Sequence, residues 1–197
     1  SSSSSDKLLI GCKQMEFINQ APIKNLSTPT ANSDAANKKY VDDNAGKRTC
    51  RFVVGTSTAG WTKKDCDYLC DGTDDQVEIQ AAINALPSTG GEVVVLDGTY
   101  NIASSIAINK HNITITGNGS STVLKKMWDS GSYVIPVLDA KMSNICIKYL
   151  QIDGNRAVYQ SGFGIASGGS PSNINNKYIT IIGVTIKNFR YGVYTSF

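Results

Sequence analysis

The sequence predicts a mainly β fold: a parallel β-helix, in which short strands stack coil upon coil into a solenoid, with an N-terminal capping α-helix. Three observations support this prediction. The second half of the chain is rich in short β-branched segments, these segments recur at a nearly constant offset, and one amphipathic helical segment precedes them. Because a solenoid exposes an apolar end, a helix immediately before the first coil suits the role of a cap.

The β-branched residues identify the strands. Residues 93–197 contain 15 Ile and 9 Val but only 4 Leu, and such an excess favours strands over helices. One stretch departs from this pattern: Gly162–Gly169 is interpreted as a loop extruded from the solenoid, a position where binding residues are common. The predicted strand segments are Val93–Leu96, Ile106–Ile108, Ile113–Ile115, Val123–Leu124, Ile145–Ile147, Leu150–Ile152, Ile179–Ile181 and Val184–Ile186.

An internal repeat predicts how the strands stack. Self-similarity at a period of about 20–50 residues is typical of a solenoid whose neighbouring coils bury a shared core. A β-sandwich also uses short strands, but it has no reason to repeat one pattern at a fixed offset. An earlier, shorter copy at positions 113 and 115 precedes the main pair at a similar offset (145 − 113 = 32). In the main pair, Ile145, Ile147, Leu150, Ile152 and Arg156 recur as Ile179, Ile181, Val184, Ile186 and Arg190 at one constant offset (179 − 145 = 34; 190 − 156 = 34).

The segment before the first coil has the signals of a helix. Thr73-Asp74-Asp75-Gln76 fits a capping box, in which the Thr73 hydroxyl and the Gln76 amide satisfy free backbone N–H groups. An apolar stripe follows at helical spacing, and Pro87 ends the segment. The prediction is one amphipathic helix over residues 73–86. Its stripe consists of Ile79, Ala82, Ile83 and Leu86.

Composition excludes several functions. Of the 197 residues 41% are hydrophobic and 18% are charged, the net charge is +3, and no more than two basic residues are adjacent, so nucleic-acid binding is not expected. No run approaches the roughly eighteen apolar residues of a membrane span, so no membrane insertion is expected. The five cysteines form no CxxC pair, which predicts reduced, packed thiols and no metal site.

The N-terminal region differs from the rest. Residues 1–48 combine short apolar clusters with Pro22 and Pro29, which is typical of an extended segment with little core of its own. Residues 33–43 tolerate a helix, but a helix this short is marginal alone, so a neighbouring chain is expected to stabilise it. The predicted divisions are an adaptor or neck at 1–48, linker strands and the capping helix at 49–92, and coils at 93–197. The coils are expected to continue beyond Phe197.

The catalytic candidates are few. Glycan cleavage typically uses paired carboxylates, yet the repeat stacks Asp153 on Lys187 (187 − 153 = 34) and not on a second acid. The segment Asp153-Gly154-Asn155 is better explained as a turn whose Gly and Asn accept positive φ. Arg156 and Arg190 either form a ladder able to meet an anionic sugar or are solvated surface arginines. Asp153, Arg156 and Arg190 are therefore weak catalytic candidates, and no cofactor is expected.

Aromatic residues suggest a second kind of site. Exposed aromatic rings can stack on sugars, and packing inside the coils is the alternative with equal weight. The residues concerned are Tyr149, Tyr159, Phe163, Tyr178, Tyr191 and Tyr194.

Several motifs carry a resemblance to a known fold. Asp71–Ala85 followed by Gly90–Ile102 resembles the start of the pectate-lyase-like right-handed β-helix superfamily, and Gly117–Leu124 and Ile152–Arg156 look like its recurrent turns. The resemblance covers residues 67–197 and implies a right-handed parallel β-helix. It implies no particular activity, because the superfamily places lyases, hydrolases and non-catalytic receptor binders on one scaffold.

A second resemblance lies upstream. Asn25–Pro29 followed by Asp34–Asp42 is similar to a segment of bacteriophage tail spikes and tail fibres near their virion-proximal end. Together with a β-helix it implies a homotrimeric tail appendage, located in the virion tail, that contacts other tail proteins and recognises a host-surface polysaccharide. The residues it implicates in virion attachment or trimerisation are Asp34, Ala35, Lys38, Lys39, Tyr40 and Val41.

The alternative function is a polysaccharide-degrading enzyme, a lyase or glycoside hydrolase of the pectate-lyase-like superfamily. Its active carboxylates are then expected in coils beyond Phe197 or across a subunit interface, because acids are sparse in residues 93–197. In both interpretations this part of the protein is expected to be non-catalytic.

Overall fold

The structure, a computed structural model, describes residues 27–30, 36, 39–41, 50–130, 133–137, 143–167 and 177–195. The chain forms two compact units, Ser1–Lys47 and Arg48–Phe197. In the first unit Lys39, Tyr40 and Val41 are helical. Asp34, Ala35 and Lys38, which the tail-spike resemblance also implicates, lie outside the described residues.

The second unit is mainly β, with parallel sheets and few helices. Every pairing between its strands is parallel in the described part of the chain. A helix α1 spans Gln76–Ala85, and no helix among the described residues has the length and apolar character needed to cross a membrane. The strands are β1 Arg51–Thr56, β2 Tyr68–Cys70, β3 Gly91–Val95, β4 Gly98–Ile102, β5 Ile113–Thr116, β6 Thr122–Lys126, β7 Tyr133–Val137, β8 Ser143–Lys148, β9 Gln151–Asp153, β10 Phe163–Ser167, β11 Lys177–Ile182, β12 Thr185–Lys187 and β13 Tyr191–Thr195.

The strands form three sheets that the chain visits in turn. The first sheet has the order β11-β8-β5-β3-β1-β2, the second β12-β9-β6-β4, and the third β13-β10-β7. Ile106 and Ile108 extend the third sheet, since their N–H groups donate to the carbonyls of Val134 and Pro136 on β7. The successive triplets β5-β6-β7, β8-β9-β10 and β11-β12-β13 therefore each contribute one strand to every sheet.

The internal repeat of the sequence corresponds to the register of the sheets. Ile179 pairs with Ile145 and Ile181 with Ile147 in the first sheet, and Ile186 pairs with Ile152 in the second. The shorter copy is confirmed as well, because Ile115 pairs with Ile147. The constant offset in the sequence is thus a spatial alignment of one triplet of strands on the next.

The core follows from strand alternation. Side chains at every second position of the first sheet face inward, and Ile113, Ile115, Ile145 and Ile147 are essentially inaccessible to solvent. They belong to one continuous hydrophobic cluster that also includes residues of the helix and of the other two sheets. Removing each isoleucine side chain from water contributes about 1.5–3 kcal/mol, so this stack is the main source of stability in the sheet.

The corner before the first sheet repeats from strand to strand. Asn112 directly precedes β5, and Asn144 and Tyr178 are the second residues of β8 and β11. Their φ values are 55°, 59° and 64°. Asparagine enters this left-handed region more readily than most residues. The Asn144 amide nitrogen donates to Asn112 Oδ1 at 2.9 Å, so the turn of one triplet is bonded to the turn of the next.

Helix α1 packs against the first strands with its predicted apolar stripe. Ile79, Ala82, Ile83 and Leu86 are at most 3% exposed. The predicted capping box is wrong, because the N-cap residue is Asp75 and makes no side-chain cap bond. Instead the Asp75 carboxylate accepts from the backbone N–H groups of Gly72 (2.8 Å) and Asn101 (2.7 Å). The Asp75 carboxylate, which could have capped the helix, is therefore bonded to Gly72 and to the strand residue Asn101 instead.

The same helix bonds the segment between β4 and β5. Gln76 Oε1 accepts from Ala103 N at 2.8 Å, and Gln80 Oε1 accepts from Ala107 N at 2.7 Å. In the opposite direction, Lys110 Nζ donates to the carbonyls of Ile83, Asn84 and Leu86 at the end of the helix. The two sets of hydrogen bonds satisfy backbone groups of both segments and fix the helix on the first strands.

The prediction of an extruded loop over Gly162–Gly169 is wrong for its first part. Phe163–Ser167 is strand β10, and it is the central strand of the third sheet. Its glycine serves close packing, since a Cβ at Gly164 would lie 2.6 Å from the carbonyl oxygen of Gly192 on β13. The small residues Gly164 and Ala166 alternate with Phe163 and Ile165, so the strand has the alternation of its neighbours with little side-chain volume on one face.

Candidate functional site

Aromatic residues stack where the chain passes from the second sheet to the third. We call this region the aromatic corner; it consists of residues 127–130, 154–162 and 188–190 and the first residues of β7, β10 and β13. The ring of Phe163 lies 4.9 Å from that of Tyr133, and 5.4 Å from that of Tyr191 at an interplanar angle of 16°. The register produces this stack, because Phe163 pairs with both residues in the third sheet.

A buried cation lies beside the stack. Lys126 is the last residue of β6, and strand alternation places it inward with Thr122 and Leu124, fully shielded from solvent. Its ammonium lies 4.6 Å from the ring centroid of Trp128 and 5.5 Å from that of Tyr159, and it donates to the Trp128 carbonyl oxygen. Burial lowers the pKa of Lys126, and the charge of Asp129 partly opposes that effect. Cation–π attraction to both rings compensates part of the lost hydration.

Asp129 links two turns of the corner. Its carboxylate accepts from the backbone N–H of Ser161 at 3.3 Å and from the Ser161 hydroxyl. These hydrogen bonds lower the pKa of Asp129, with a further contribution from the charge of Lys126. The carboxylate is therefore ionised at neutral pH and engaged within the protein.

A cavity of about 190 Å³ opens at the end of the stack. Its lining combines aromatic rings, an amide, a hydroxyl group and a cation, and the guanidinium of Arg190 lies 5.5 Å from the ring centroid of Tyr191. A concave surface with an aromatic platform and a few polar groups is typical of a small-ligand site. The lining residues are Gln160, Ser161, Gly162, Phe163, Arg190 and Tyr191.

The predicted candidate Asp153 is the last residue of β9, and its side chain takes part in the turn that follows the strand. Its carboxylate accepts from Asn155 N (2.9 Å) and Asn188 Nδ2 (2.8 Å) and lies 3.8 Å from Lys187 Nζ. Asn155 has the positive φ expected of this turn, 49°. Gly154 does not; it is required because a Cβ there would lie 2.2 Å from the Asn188 carbonyl oxygen. The geometry is that of a turn after β9 that is bonded to the corresponding turn after β12.

The predicted candidates Arg156 and Arg190 are both exposed. In the third sheet Phe163 pairs with Tyr191 at an offset of 28 (191 − 163 = 28), whereas the same two strand triplets are offset by 34 in the other sheets, so Arg190 is level with Gly162. The turn of 154–162 contains six more residues than its counterpart at 188–190 (34 − 28 = 6). Whether the two arginines form a ladder or are solvated separately stays a prediction.

A second group of chemically reactive side chains lies at the start of α1. Ligand atoms of Cys70, Asp75 and Glu78 lie within 4.8 Å of one another, and burial is the largest cause of the raised pKa of each. The Glu78 Oε2 atom is buried without a hydrogen-bond partner. Because the positive end of a helix favours anions, the position suits carboxylates better than a cation. The described cysteines, Cys50, Cys66, Cys70 and Cys146, are free thiols.

Sequence reasoning missed the central residues of the aromatic corner. It considered Phe163, Tyr159 and Tyr191 as aromatic candidates, but it did not single out Lys126, Trp128 or Ser161. One signal was available: the alternation of Thr122 to Lys126 places the lysine on the same face as buried Leu124. Asp129 and Ser161 are 32 positions apart, which equals the offset of the shorter sequence copy, but neither residue type indicates by itself a hydrogen bond between them.

Comparison with known proteins supports the class of fold. No protein-family model and no curated protein sequence matches the chain. Among solved structures, the mannuronan C-5 epimerase AlgE6 A-module of Azotobacter vinelandii is 26% identical with a TM-score of 0.59, over 68% of this chain and 40% of that one. The AlgE4 A-module of the same organism is 23% identical with a TM-score of 0.57, over 72% and 41%. These A-modules are right-handed parallel β-helix proteins, and the chain spans about two fifths of their length.

A viral protein also matches in part. The protein ORF18 of Geobacillus virus E2 is 30% identical with a TM-score of 0.46, over 58% of this chain and 23% of that one. The structural neighbours are thus a phage protein and epimerases whose name refers to a polysaccharide.

Proposed function

We propose that the chain belongs to a phage tail appendage, a tail spike or tail fibre, whose right-handed β-helix binds a host-surface polysaccharide at the aromatic corner. The observation that carries the binding part is the continuous stack of Tyr133, Phe163 and Tyr191 beside a cavity that Arg190 also lines. Sugar rings present apolar C–H faces to aromatic rings and hydroxyl groups to polar side chains, so this combination fits a glycan.

The likeness to the AlgE6 A-module supports the choice of ligand. That module is named for mannuronan, a polysaccharide, and shares 26% identity and a TM-score of 0.59 with this chain. A fold alone does not define a function. The proposal therefore rests on the likeness together with the side chains of the corner.

The N-terminal part of the proposal concerns assembly. Residues 1–48 attach the appendage to other tail proteins and hold three copies together, through Asp34, Ala35, Lys38, Lys39, Tyr40 and Val41, and residues 49–92 connect them to the coils at 93–197. Support comes from the tail-spike resemblance of Asp34–Asp42 and from the helical conformation of Lys39–Val41. Light scattering on the full chain tests it: three times the 21.1 kDa mass of one chain is expected. A monomer at all concentrations contradicts it.

Substitution of Tyr191 tests the binding site. Tyr191→Ala removes one ring of the stack, and Tyr178→Ala is the matched control, because Tyr178 is 75% exposed and lies on β11 of the first sheet, outside the cavity lining. Affinity electrophoresis in gels containing mannuronan, polygalacturonate, hyaluronan or dextran measures binding. We expect at least one polymer to retard the wild type and the control, and Tyr191→Ala to bind about tenfold more weakly. Equal retardation of both variants contradicts the site.

A polysaccharide-degrading enzyme is the second candidate. The likeness to a mannuronan C-5 epimerase module supports an enzyme that acts on a polysaccharide, although epimerisation itself breaks no glycosidic bond. Against it, the carboxylate of Asp153 is held by Asn155, Asn188 and Lys187, and that of Asp129 by Ser161. Incubation of the full chain with the same polymers, followed by an assay for new reducing ends and unsaturated sugars, separates the two functions. Binding without cleavage supports a recognition protein, and cleavage supports the enzyme.

A further inference from the structure

We infer that a second cavity, between helix α1 and the segment that follows β4, binds the acetamido group of a neutral N-acetylated sugar. This site is separate from the aromatic corner, and the inference does not depend on the function proposed for that corner. The cavity has a volume of about 340 Å³, and none of the described side chains that line it is charged. The volume is in the range of small-ligand sites, and the uncharged lining suits a neutral ligand.

The first argument is an unpaired backbone donor. Ile106 N and Ile108 N donate to carbonyls of β7, so the chain is extended here and the alternate residues direct their N–H groups toward α1. One of these, Ala107 N, donates to Gln80 Oε1 at 2.7 Å. The other is Ser105 N; Ser105 lines the cavity, and within the described part of the chain its N–H has no acceptor. An acceptor atom of a ligand would supply the missing partner.

The second argument is a buried amide. Gln76 is only 8% exposed and lines the same cavity. Its Oε1 accepts from Ala103 N at 2.8 Å, which fixes the orientation of the amide, and its Nε2 donates to no atom among the residues that the structure describes. A buried donor without a partner is costly. The lining therefore contains two unpaired donors, and a carbonyl oxygen, which has two lone pairs, is the acceptor that suits them.

The third argument is the apolar part of the lining. Val77 and Ala81 lie one turn apart on α1, and Val77 is 57% exposed. An acetamido group presents a methyl group for such a surface together with the carbonyl oxygen that the donors require. The lining also contains the Ser104 hydroxyl and the Asn84 amide. Hydroxyl groups of a sugar can bond to both, whereas the aliphatic chain of an acetylated lysine cannot.

An extended peptide is the alternative occupant, and the hydrogen bonds of the segment disfavour it. A peptide that adds to a strand edge pairs with successive N–H groups that point the same way. The N–H groups on either side of Ser105, those of Ala103 and Ala107, are already bonded to glutamine side chains of α1. One unpaired donor between two bonded ones fits a compact group better than a strand.

The test titrates the full chain with N-acetylglucosamine, N-acetylgalactosamine and N-acetylmannosamine, each compared with glucose, galactose or mannose. Amide NMR spectra follow the backbone resonance of Ser105 and the side-chain resonances of Gln76. Gln76→Glu keeps an oxygen for the backbone N–H that it accepts and replaces both donors, and Ala81→Leu fills the cavity with a good helix former. Gln151→Glu is the matched control, because it makes the same charge change on β9, outside the cavity lining. Thermal melting checks that each variant is folded.

We expect wild type and Gln151→Glu to bind at least one N-acetylated sugar about tenfold more tightly than its parent sugar, with shifts of the Ser105 and Gln76 resonances. Gln76→Glu and Ala81→Leu should each weaken that binding about tenfold. If Gln76→Glu does not fold, Ala81→Leu and the resonance shifts of the wild type decide the question.

Equal affinity for acetylated and parent sugars overturns the inference, and so does binding of no acetylated sugar by the wild type. Shifts confined to residues outside the cavity, or unchanged binding by folded Gln76→Glu or Ala81→Leu, also overturn it. A capped extended tripeptide that binds more tightly than every sugar would assign the cavity to a peptide instead. Each of these outcomes leaves the polysaccharide-binding proposal for the aromatic corner standing, because that proposal has its own test.

Discussion

The first sheet and the aromatic corner are built by the same three triplets of strands, yet they differ in regularity. In the first sheet Ile179 lies on Ile145 at the offset of the sequence repeat (179 − 145 = 34), and similar side chains recur from strand to strand. At the corner Tyr191 lies on Phe163 at a smaller offset (191 − 163 = 28), because the turn of 154–162 is longer than its counterpart. Where the offset is kept, the same interior is reproduced. Where it changes, aromatic residues still stack in register, and the longer turn lines a cavity beside them.

The first sheet and the aromatic corner have different roles. The inward positions of β5 and β8 in the first sheet are aliphatic and fully buried, so they contribute stability and little chemistry. The corner contains a buried ammonium, a bonded carboxylate, three stacked rings and an unpaired guanidinium. Loops and turns on a rigid scaffold are a frequent place for binding residues for this reason.

The largest effect is expected from a charge in the regular region. Ile147→Asp places an unpaired carboxylate at a fully buried position, which costs about 3–5 kcal/mol or more and should abolish cooperative unfolding. Ile181→Asp, on the edge strand β11 of the first sheet, is the control with a smaller expected loss. Ile181 is 37% exposed, so the carboxylate of the introduced aspartate can reach water. Circular dichroism melting curves measure both. Wild-type-like melting of Ile147→Asp would contradict the stacked interior.

A smaller loss is expected where the turns after β9 and β12 touch at the corner. Gly154→Ala brings a methyl group within 2.2 Å of the Asn188 carbonyl oxygen, and such overpacking costs about 3 kcal/mol. Gly119→Ala is the control: its φ is +65° but nothing lies within 4 Å of the added Cβ, so backbone strain of about 1 kcal/mol is expected. Urea titration measures both free energies of unfolding. Equal losses of unfolding free energy in the two variants would contradict the expected clash with the Asn188 carbonyl oxygen.

The buried lysine is expected to matter less than its position suggests. Lys126→Met keeps an unbranched side chain against Trp128 and Tyr159 and removes a charge that is costly to bury. The loss of the hydrogen bond to the Trp128 carbonyl opposes this gain, so the free energy of unfolding should change by less than about 1 kcal/mol. Lys125→Met, on the opposite face of the strand, is the control. A loss above about 2 kcal/mol relative to that control would assign the stability of the corner to the cation–π contacts.

The smallest effect concerns a single proton. The bonds from Ser161 hold the pKa of Asp129 below its ordinary value of 3.8. The interaction therefore stabilises the fold above that pH and is lost as the pH falls through the lowered pKa. In Ser161→Ala the pKa of Asp129, followed by NMR titration of its side-chain carbon, should rise toward the ordinary value. An unchanged pKa would show that the charge of Lys126, and not Ser161, is the main cause.

Much of the fold could be predicted from local patterns. The repeat of Ile145 and Ile147 at positions 179 and 181 predicted the register, and the spacing of Ile79, Ala82 and Ile83 predicted the buried face of the helix. Two local predictions failed because tertiary partners replaced local ones. The Asp75 carboxylate bonds Asn101 and not its own helix, and the glycine-containing segment at 163–167 is a central strand.

The site could be predicted only in part. Tyr159, Phe163, Tyr191 and Arg190 were candidates by residue type, but their grouping depends on the lengths of the connections between the second and the third sheet, such as 154–162 and 188–190. A difference of six residues between these two turns places Arg190 level with Gly162 in the lining of the cavity, and Arg156 is not part of that lining. Turn length is visible in a sequence only after the strands that bound the turn are known.

The sequence by itself therefore determined the β class, the parallel stacking and the apolar interior, because alternation within strands and a constant offset between them are periodic properties of the chain. Only the tertiary structure decided which side chains meet at the corner. Lys126 contacts Tyr159, and Asp129 contacts Ser161. Neither contact follows from the residue types or from the alternation of the strands. Their contacts depend on how unequal turns bring distant residues to one place, and that is a property of the folded chain.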